Sequence, residues 1–117
     1  MEKTISIDGK EIKFKATAGT PRVYRQAFGR DIYLDLTSLY ENIKADEELS
    51  VDSLEIFENV AFVMAMQGEG VAVTREKAPV LIDEWLDQFA TFSIYKIIPE
   101  IMDLWRLNTE QTVKPKK

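Results

Sequence analysis

The run KTISIDGKEIKFK near the N-terminus constrains this chain most. Apolar and polar residues alternate on both sides of Asp8-Gly9. Ile5 and Ile7 share one face of the first half, and Ile12 and Phe14 share one face of the second. Asp-Gly between alternating runs fits a two-residue type I′ turn, in which both central residues take positive φ. The spacing predicts a two-stranded hairpin over about residues 3–15. An isolated hairpin is marginal in water, so its apolar face must pack on another part of the chain.

The remainder of the chain reads as helix. In GTPRVYRQAFG, Thr20 is the expected N-cap, Pro21 sits where a missing N–H costs nothing, and Gly29 is the expected left-handed terminator. Asp31 can cap the next helix. Ile32, Leu36, Leu39, Tyr40 and Ile43 then recur at helical spacing, which carries that helix to about Ile43. KADEELS reads as a polar connection. Asp52 and Glu55 match a capping box for a third helix, SLEIFENVAFVMAMQ, expected to stop at Gly68. Leu54, Phe57 and Ala61 align on its first half, whereas residues 60–66 are apolar on every side, the pattern of a helix buried in its own core or in a partner. Pro79 opens a fourth helix with Leu81, Trp85 and Phe89 on one stripe and Asp83, Glu84 and Asp87 off it. In SIYKIIPEIMDLWRL, Ile94, Ile97, Ile98, Ile101, Leu104 and Trp105 hold phase across Pro99. One helix kinked at proline is the simplest account, and a break after Ile98 is the alternative. The expected architecture is mainly α (α+β): an N-terminal β-hairpin followed by a bundle of about five helices. It forms one domain over residues 1–107, with a disordered tail over 108–117 where apolar periodicity ends.

Composition narrows the chemistry. The 117 residues contain neither histidine nor cysteine. Thiolate metal sites, disulfides, cysteine nucleophiles and the commonest general base are therefore all missing. No cofactor and no metal is expected. The formal charge of −5 argues against a phosphate backbone as partner. The longest apolar run, VAFVMAM, is far below the roughly 20 residues that span a bilayer. The N-terminus does not have the build of a signal peptide. These features predict a soluble cytoplasmic protein.

Several polar constellations compete with a plain structural account. VYRQAFGRDIYLDL packs Arg25, Arg30, Asp31 and Asp35 around one glycine. As an active site it has no strong nucleophile. As a helix-turn-helix it offers phosphate an acidic second helix. As a junction it is fully explained: Gly29 ends a helix, Asp31 starts one, Val23, Phe28, Ile32 and Leu36 are core, and Arg22 and Arg25 face water. Asp46, Glu47 and Glu48 do not follow the calcium-loop pattern, and Asp83, Glu84 and Asp87 form the solvated side of an amphipathic helix.

Taken whole, the chain resembles the tail assembly chaperones of long, flexible-tailed phages and prophages of Gram-positive bacteria. The resemblance runs over almost its full length. It rests most specifically on YRQAFGRDI and on DEWLDQF followed by PEIMDLW, with LEIFENVAFVMA between them. It implies a non-enzymatic, mostly helical protein of the bacterial host cytoplasm, absent from the mature virion. Such a protein coats the tape measure protein, helps recruit tail tube subunits and self-associates. Family members are often made in a second, longer form by ribosomal frameshifting, for which the lysines of the terminal KPKK are suggestive. A head–tail connector, a generic acidic helical adaptor and a carboxylate enzyme are the alternatives. The residues themselves point to helix-in-groove binding. The candidate partner-binding residues are Phe62, Met66, Tyr95, Met102 and Trp105, chosen as off-stripe apolar positions or large amphipathic side chains.

Overall fold

The computed structural model describes the backbone of residues 1–44 and 50–113. A two-stranded antiparallel hairpin, β1 (Glu2–Ile7) and β2 (Lys10–Lys15), is followed by five α-helices. These are α1 (Thr20–Phe28), α2 (Ile32–Lys44), α3 (Val51–Glu69), α4 (Ala78–Asp87) and α5 (Ile98–Val113), with a 3₁₀ segment at Ser93–Ile97. This is the α+β architecture that the alternation and helical periodicity predict.

The hairpin closes as expected. Ile7 pairs with Lys10, leaving Asp8 and Gly9 as the two turn residues, with φ of 53° and 80°. Ile5 lies directly opposite Ile12, and Ile5, Ile7, Ile12 and Phe14 are all buried. Each such side chain contributes about 1.5–3 kcal/mol of burial, which is what holds a hairpin too small to stand alone. The turn is also tied down. Asp8 accepts hydrogen bonds from the Ala90 amide (2.7 Å) and the Ser93 hydroxyl (2.6 Å), and Lys10 donates to the Gln88 carbonyl (3.0 Å). The Ser93 and Ala90 bonds hold the Asp8 carboxyl below its ordinary value. A Cβ at Gly9 would meet no atom within 4 Å, so only the backbone resists substitution there. Gly9→Val is expected to cost about 1–3 kcal/mol through strain at positive φ. A urea denaturation midpoint equal to that of the parent would refute this account of the turn.

The core is built around α3. It packs on β2, α1 and α2, and more lightly on α4 and the 3₁₀ segment. Every residue from 60 to 66 is buried, including Phe62, Val63 and Met64 at 0% exposure. A helix apolar on all sides is here the central helix of its own domain.

The helix ends differ in part from the sequence expectation. Thr20 is not a cap: Gly19 precedes the helix, and Thr20 is buried as its first residue. Its hydroxyl accepts from the Thr17 amide (2.9 Å) and donates to Gln67 Oε1 (2.5 Å). Gly29 does terminate α1 in the left-handed region, its N–H reaching the Arg25 carbonyl at 2.8 Å. The Arg75 guanidinium also donates to the Gln26 and Arg25 carbonyls at that end, at 3.0 and 3.1 Å. This is the favourable site for a cation on a helix dipole. Asp31 caps α2 by accepting from the Tyr33 amide at 2.8 Å. Ser50, rather than Asp52, caps α3, accepting from the Ser53 amide at 3.1 Å. Its serine hydroxyl makes the same three-residue reach, and Asp52 falls into the first turn.

Three further boundaries are corrected. α3 passes through Gly68 and ends at Gly70, where the Val71 amide reaches back to the Met66 carbonyl at 2.9 Å. Ahead of Pro99 the last helix changes its winding: a 3₁₀ segment over Ser93–Ile97 runs directly into α5, in place of one kinked α-helix or a break after Ile98. The 3₁₀ segment carries Ile94 and Ile97 into the core, and α5 starts at Ile98. Proline lacks the N–H that an α-helix would use there and crowds the carbonyl four residues back, so the tighter winding precedes it. α5 also continues to Val113, past residue 107, where a disordered tail is expected from the sequence to begin. The KADEELS connection, with Asp46, Glu47 and Glu48, lies outside the described residues except at its ends, as do residues 114–117.

Candidate functional site

The residues expected to bind a partner differ in burial and do not form one open surface. Phe62 is fully buried, with its ring centroid 6.3 Å from Phe28 and 6.0 Å from Trp85. Met66 and Trp105 are each only 7% exposed, and the Trp105 ring lies 5.4 Å from Tyr33. Tyr95 and Met102 are half-buried against the core. Tyr95 donates its hydroxyl to the Glu58 carboxylate and stacks near Phe57. Burial, then that hydrogen bond, pushes its phenol up to about 12. Phe62, Met66 and Trp105 are therefore core side chains and not an open surface. Helical phase within α3 and α5 marks positions off the main stripe, but α1, α4 and α2 arrive over them and bury them.

The Gly29 junction is structural, as its residue types predict, but it contains a network that those types alone do not reveal. Asp35 is 6% exposed on the inner face of α2, between Ile32, Leu36 and Leu39. It receives two hydrogen bonds from the Arg30 guanidinium, both 2.7 Å, and one from the buried Tyr24 hydroxyl at 2.7 Å. Burial pushes the Asp35 carboxyl up, but those bonds and the Arg30 charge outweigh it and hold the group below its ordinary value. Burial, then the bond to Asp35, raises the Tyr24 phenol, and the carboxylate raises Arg30. The signal in the sequence is phase: Asp35 shares the periodicity of the apolar stripe, and a carboxylate there needs donors. Its acceptor sites are taken up by these partners, so the group holds α1 to α2 and is not set up as a general base.

A stabilising group with a depressed pKa contributes fully above its unfolded value of about 3.8 and loses that contribution as pH falls through the lower folded value. Half of the Arg30 side chain is in solvent, which places the network near the low end for charged hydrogen bonds. Asp35→Asn is expected to cost about 1.5–2 kcal/mol at pH 7, with the gap to the parent closing below about pH 4. Urea titrations of both proteins at pH 7 and pH 3 check this. A gap of the same size at both pH values would rule it out.

Large apolar side chains are exposed at Val51, Val80 and Phe92, and at several positions of α2. Tyr33 is 51% exposed, Leu34 70%, Tyr40 42% and Ile43 37%. Helical spacing alone places Tyr40 and Ile43 on the buried stripe. Ile43 keeps the phase of Ile32, Leu36 and Leu39 but lies in the last turn of α2, and Tyr40 stands a step off that line, so both remain partly exposed. Between α2 and α3 runs a cleft of about 410 Å³ lined by Arg30, Asp35, Ser38, Asp52, Glu55, Ile56 and Asn59. Among the described residues, no group of three or more acidic side chains is arranged to hold a metal ion, and no helix is long and apolar enough to cross a membrane. The cleft brings together three carboxylates, an amide, a hydroxyl, a guanidinium and the Ile56 side chain. In comparisons with known protein families, with curated proteins and with solved structures, the chain matches none.

Proposed function

We propose that this chain is a tail assembly chaperone of the kind used by long, flexible-tailed phages. On this reading it is a non-enzymatic binding protein that masks the apolar surface of the tape measure protein and helps recruit tail tube subunits. It acts in the cytoplasm of the bacterial host, is absent from the finished particle, and counts further copies and a frameshifted longer form of itself among its partners. The observation that carries the reading is the number of large apolar side chains left partly exposed, among them Tyr33, Leu34 and Tyr40 on α2, Val80 on α4 and Phe92. Exposed apolar groups mark binding surfaces more often than catalytic ones. The mostly helical architecture is also what the sequence resemblance implies.

Co-expression with a tape measure protein, a long helical chain, tests the proposal. The pair is expected to purify together, with the long protein soluble only in this company. A long protein that stays soluble alone, while this chain elutes separately, would refute the chaperone reading. A stable ring of this chain retained in purified virions would establish a connector instead.

A further inference from the structure

We infer that the outer edge of β1 is a pairing edge, and that its occupant is the β1 strand of a second copy of this chain, antiparallel to the first and related to it by a two-fold axis at Thr4. The inference rests on the reading above for the expectation that copies associate, and it names the surface by which they do so. Met1 and Ala16 exchange both backbone hydrogen bonds at 2.9 Å, and the register runs from there to Ile7 and Lys10 without a bulge. Bonded and non-bonded pairs alternate along such a ladder. Lys3, Ile5 and Ile7 therefore turn their backbone groups to β2, and Glu2, Thr4 and Ser6 turn theirs away from it. On β2 the same alternation sends the Lys13 carbonyl outward. That edge is covered, because Gly68 of α3 stands so close to this oxygen that a Cβ there would overlap it. The edge of β1 has no such cover. The 3₁₀ segment and α5 come near the strand, but among the described residues no hydrogen bond reaches the backbone of Glu2, Thr4 or Ser6, and all three residues are exposed. An edge with free donors and acceptors is a template for another strand.

Symmetry and charge select the occupant. Paired antiparallel with its own copy about Thr4, the strand uses every outward donor and acceptor: Thr4 meets Thr4, and Glu2 meets Ser6 in both directions. No like charges then stand opposite one another, since Glu2 faces an uncharged serine and Lys3 faces Ile5. Centred one residue earlier, the pairing would set Lys3 against Lys3. Centred one residue later, it would set Glu2 against Asp8, whose carboxylate is already held by Ala90 and Ser93. Like charges directly opposite are destabilising, whereas threonine pairs are favourable. The strand is thus its own complement in one register. Its pairing turns a two-stranded ribbon, marginal by itself, into a four-stranded sheet in the order β2-β1-β1-β2. A seam one strand long is a small interface, so the dimer is expected to form at micromolar concentrations and above.

Sedimentation velocity of the full chain, from micromolar to millimolar concentration, tests the pairing. The parent is expected to pass from monomer to dimer across that range. Thr4→Lys and Thr4→Glu each bring like charges together at the two-fold axis, and each is expected to weaken the dimer about tenfold or more. An equimolar mixture of the two variants is expected to restore it as a heterodimer, because residue 4 then meets its opposite charge. Circular dichroism and urea midpoints of the separate variants check that the fold is kept, as expected at an exposed position. Amide exchange needs no variant: in the parent, the Thr4 and Ser6 amides are expected to exchange more slowly as concentration rises. A parent that stays monomeric throughout, a dimer that folded Thr4→Lys and Thr4→Glu both keep, a mixture no tighter than its components, or a Thr4 amide indifferent to concentration would overturn the inference. Co-purification separates the two levels. If copies associate through another surface and still hold a tape measure protein, the edge is wrong and the function stands. If the charge pair restores the dimer but the parent holds no tape measure protein, the edge stands and the chaperone reading fails.

Discussion

Gly68→Ala is expected to destabilise this protein by about 2–4 kcal/mol, against the usual sign for its secondary structure. In an open helix the change from glycine to alanine stabilises by about 1 kcal/mol. Gly68, however, lies within α3 where β2 crosses it. A Cβ there would stand 2.8 Å from the Lys13 carbonyl carbon and closer still to its oxygen. These are backbone atoms of a strand whose partner pairs and buried face are already committed, so neither side can yield cheaply. The hairpin would have to lift from the helix, uncovering Phe14 and Ile12, which are 0% and 7% exposed. Chemical denaturation of the single substitution decides it. A midpoint at or above that of the parent would mean that β2 does not approach α3 this closely. Met64, one turn earlier on the same face of α3, makes a useful control, because Met64→Leu keeps volume and should cost less than about 1.5 kcal/mol.

Phe62→Glu is expected to abolish cooperative folding. The ring is fully enclosed between α1 and α4 through Phe28 and Trp85. A carboxylate at that place would have no donor to meet it, and an unpaired buried charge is among the few single changes that exceed about 4 kcal/mol. Phe62→Ala, which leaves a cavity without a charge, is expected to cost about 3–5 kcal/mol and to retain a cooperative transition. Thermal and urea transitions followed by circular dichroism distinguish the pair. The opposite outcome, a folded Phe62→Glu with an unchanged midpoint and a smaller size in solution, would return this residue to an interface between chains. The contrast with Leu34 is instructive, since a charge at that 70% exposed position should leave the fold intact and change only what the surface binds.

The parts of this protein legible in its residues are those governed by neighbours in the chain. The Asp8-Gly9 turn and the face carrying Ile5, Ile7, Ile12 and Phe14 follow from a period of two and a backbone conformation that few residues accept. The junction at Gly29 and Asp31 follows from the chemistry of helix ends, which reaches no further than about one turn. The enclosure of residues 60–66 was legible as a requirement, because no part of that surface could be left in water, but not as a choice between a partner and the domain's own core.

That choice belonged to the tertiary structure. Periodicity states which side chains of a helix share an arc, not how wide an arc its neighbours will cover. So Tyr40, and Ile43 in the last turn of α2, stay partly exposed while Phe62, Met66 and Trp105 are buried. The same long-range packing carries α3 through Gly68, because β2 needs a residue without a side chain at the crossing. It also brings Tyr24 and Arg30 to Asp35 from α1 and from the turn after it, turning a charge on an apolar stripe into a structural tie. Pro99 could signal an interruption by itself. The form it took, a 3₁₀ segment leading straight into α5, places Ile94 and Ile97 against the core. Local patterns set the conformations each segment prefers. Burial is a property of the segments that come to lie over it, and only the assembled fold decides which apolar side chains are spent on the core and which, like Leu34, remain exposed.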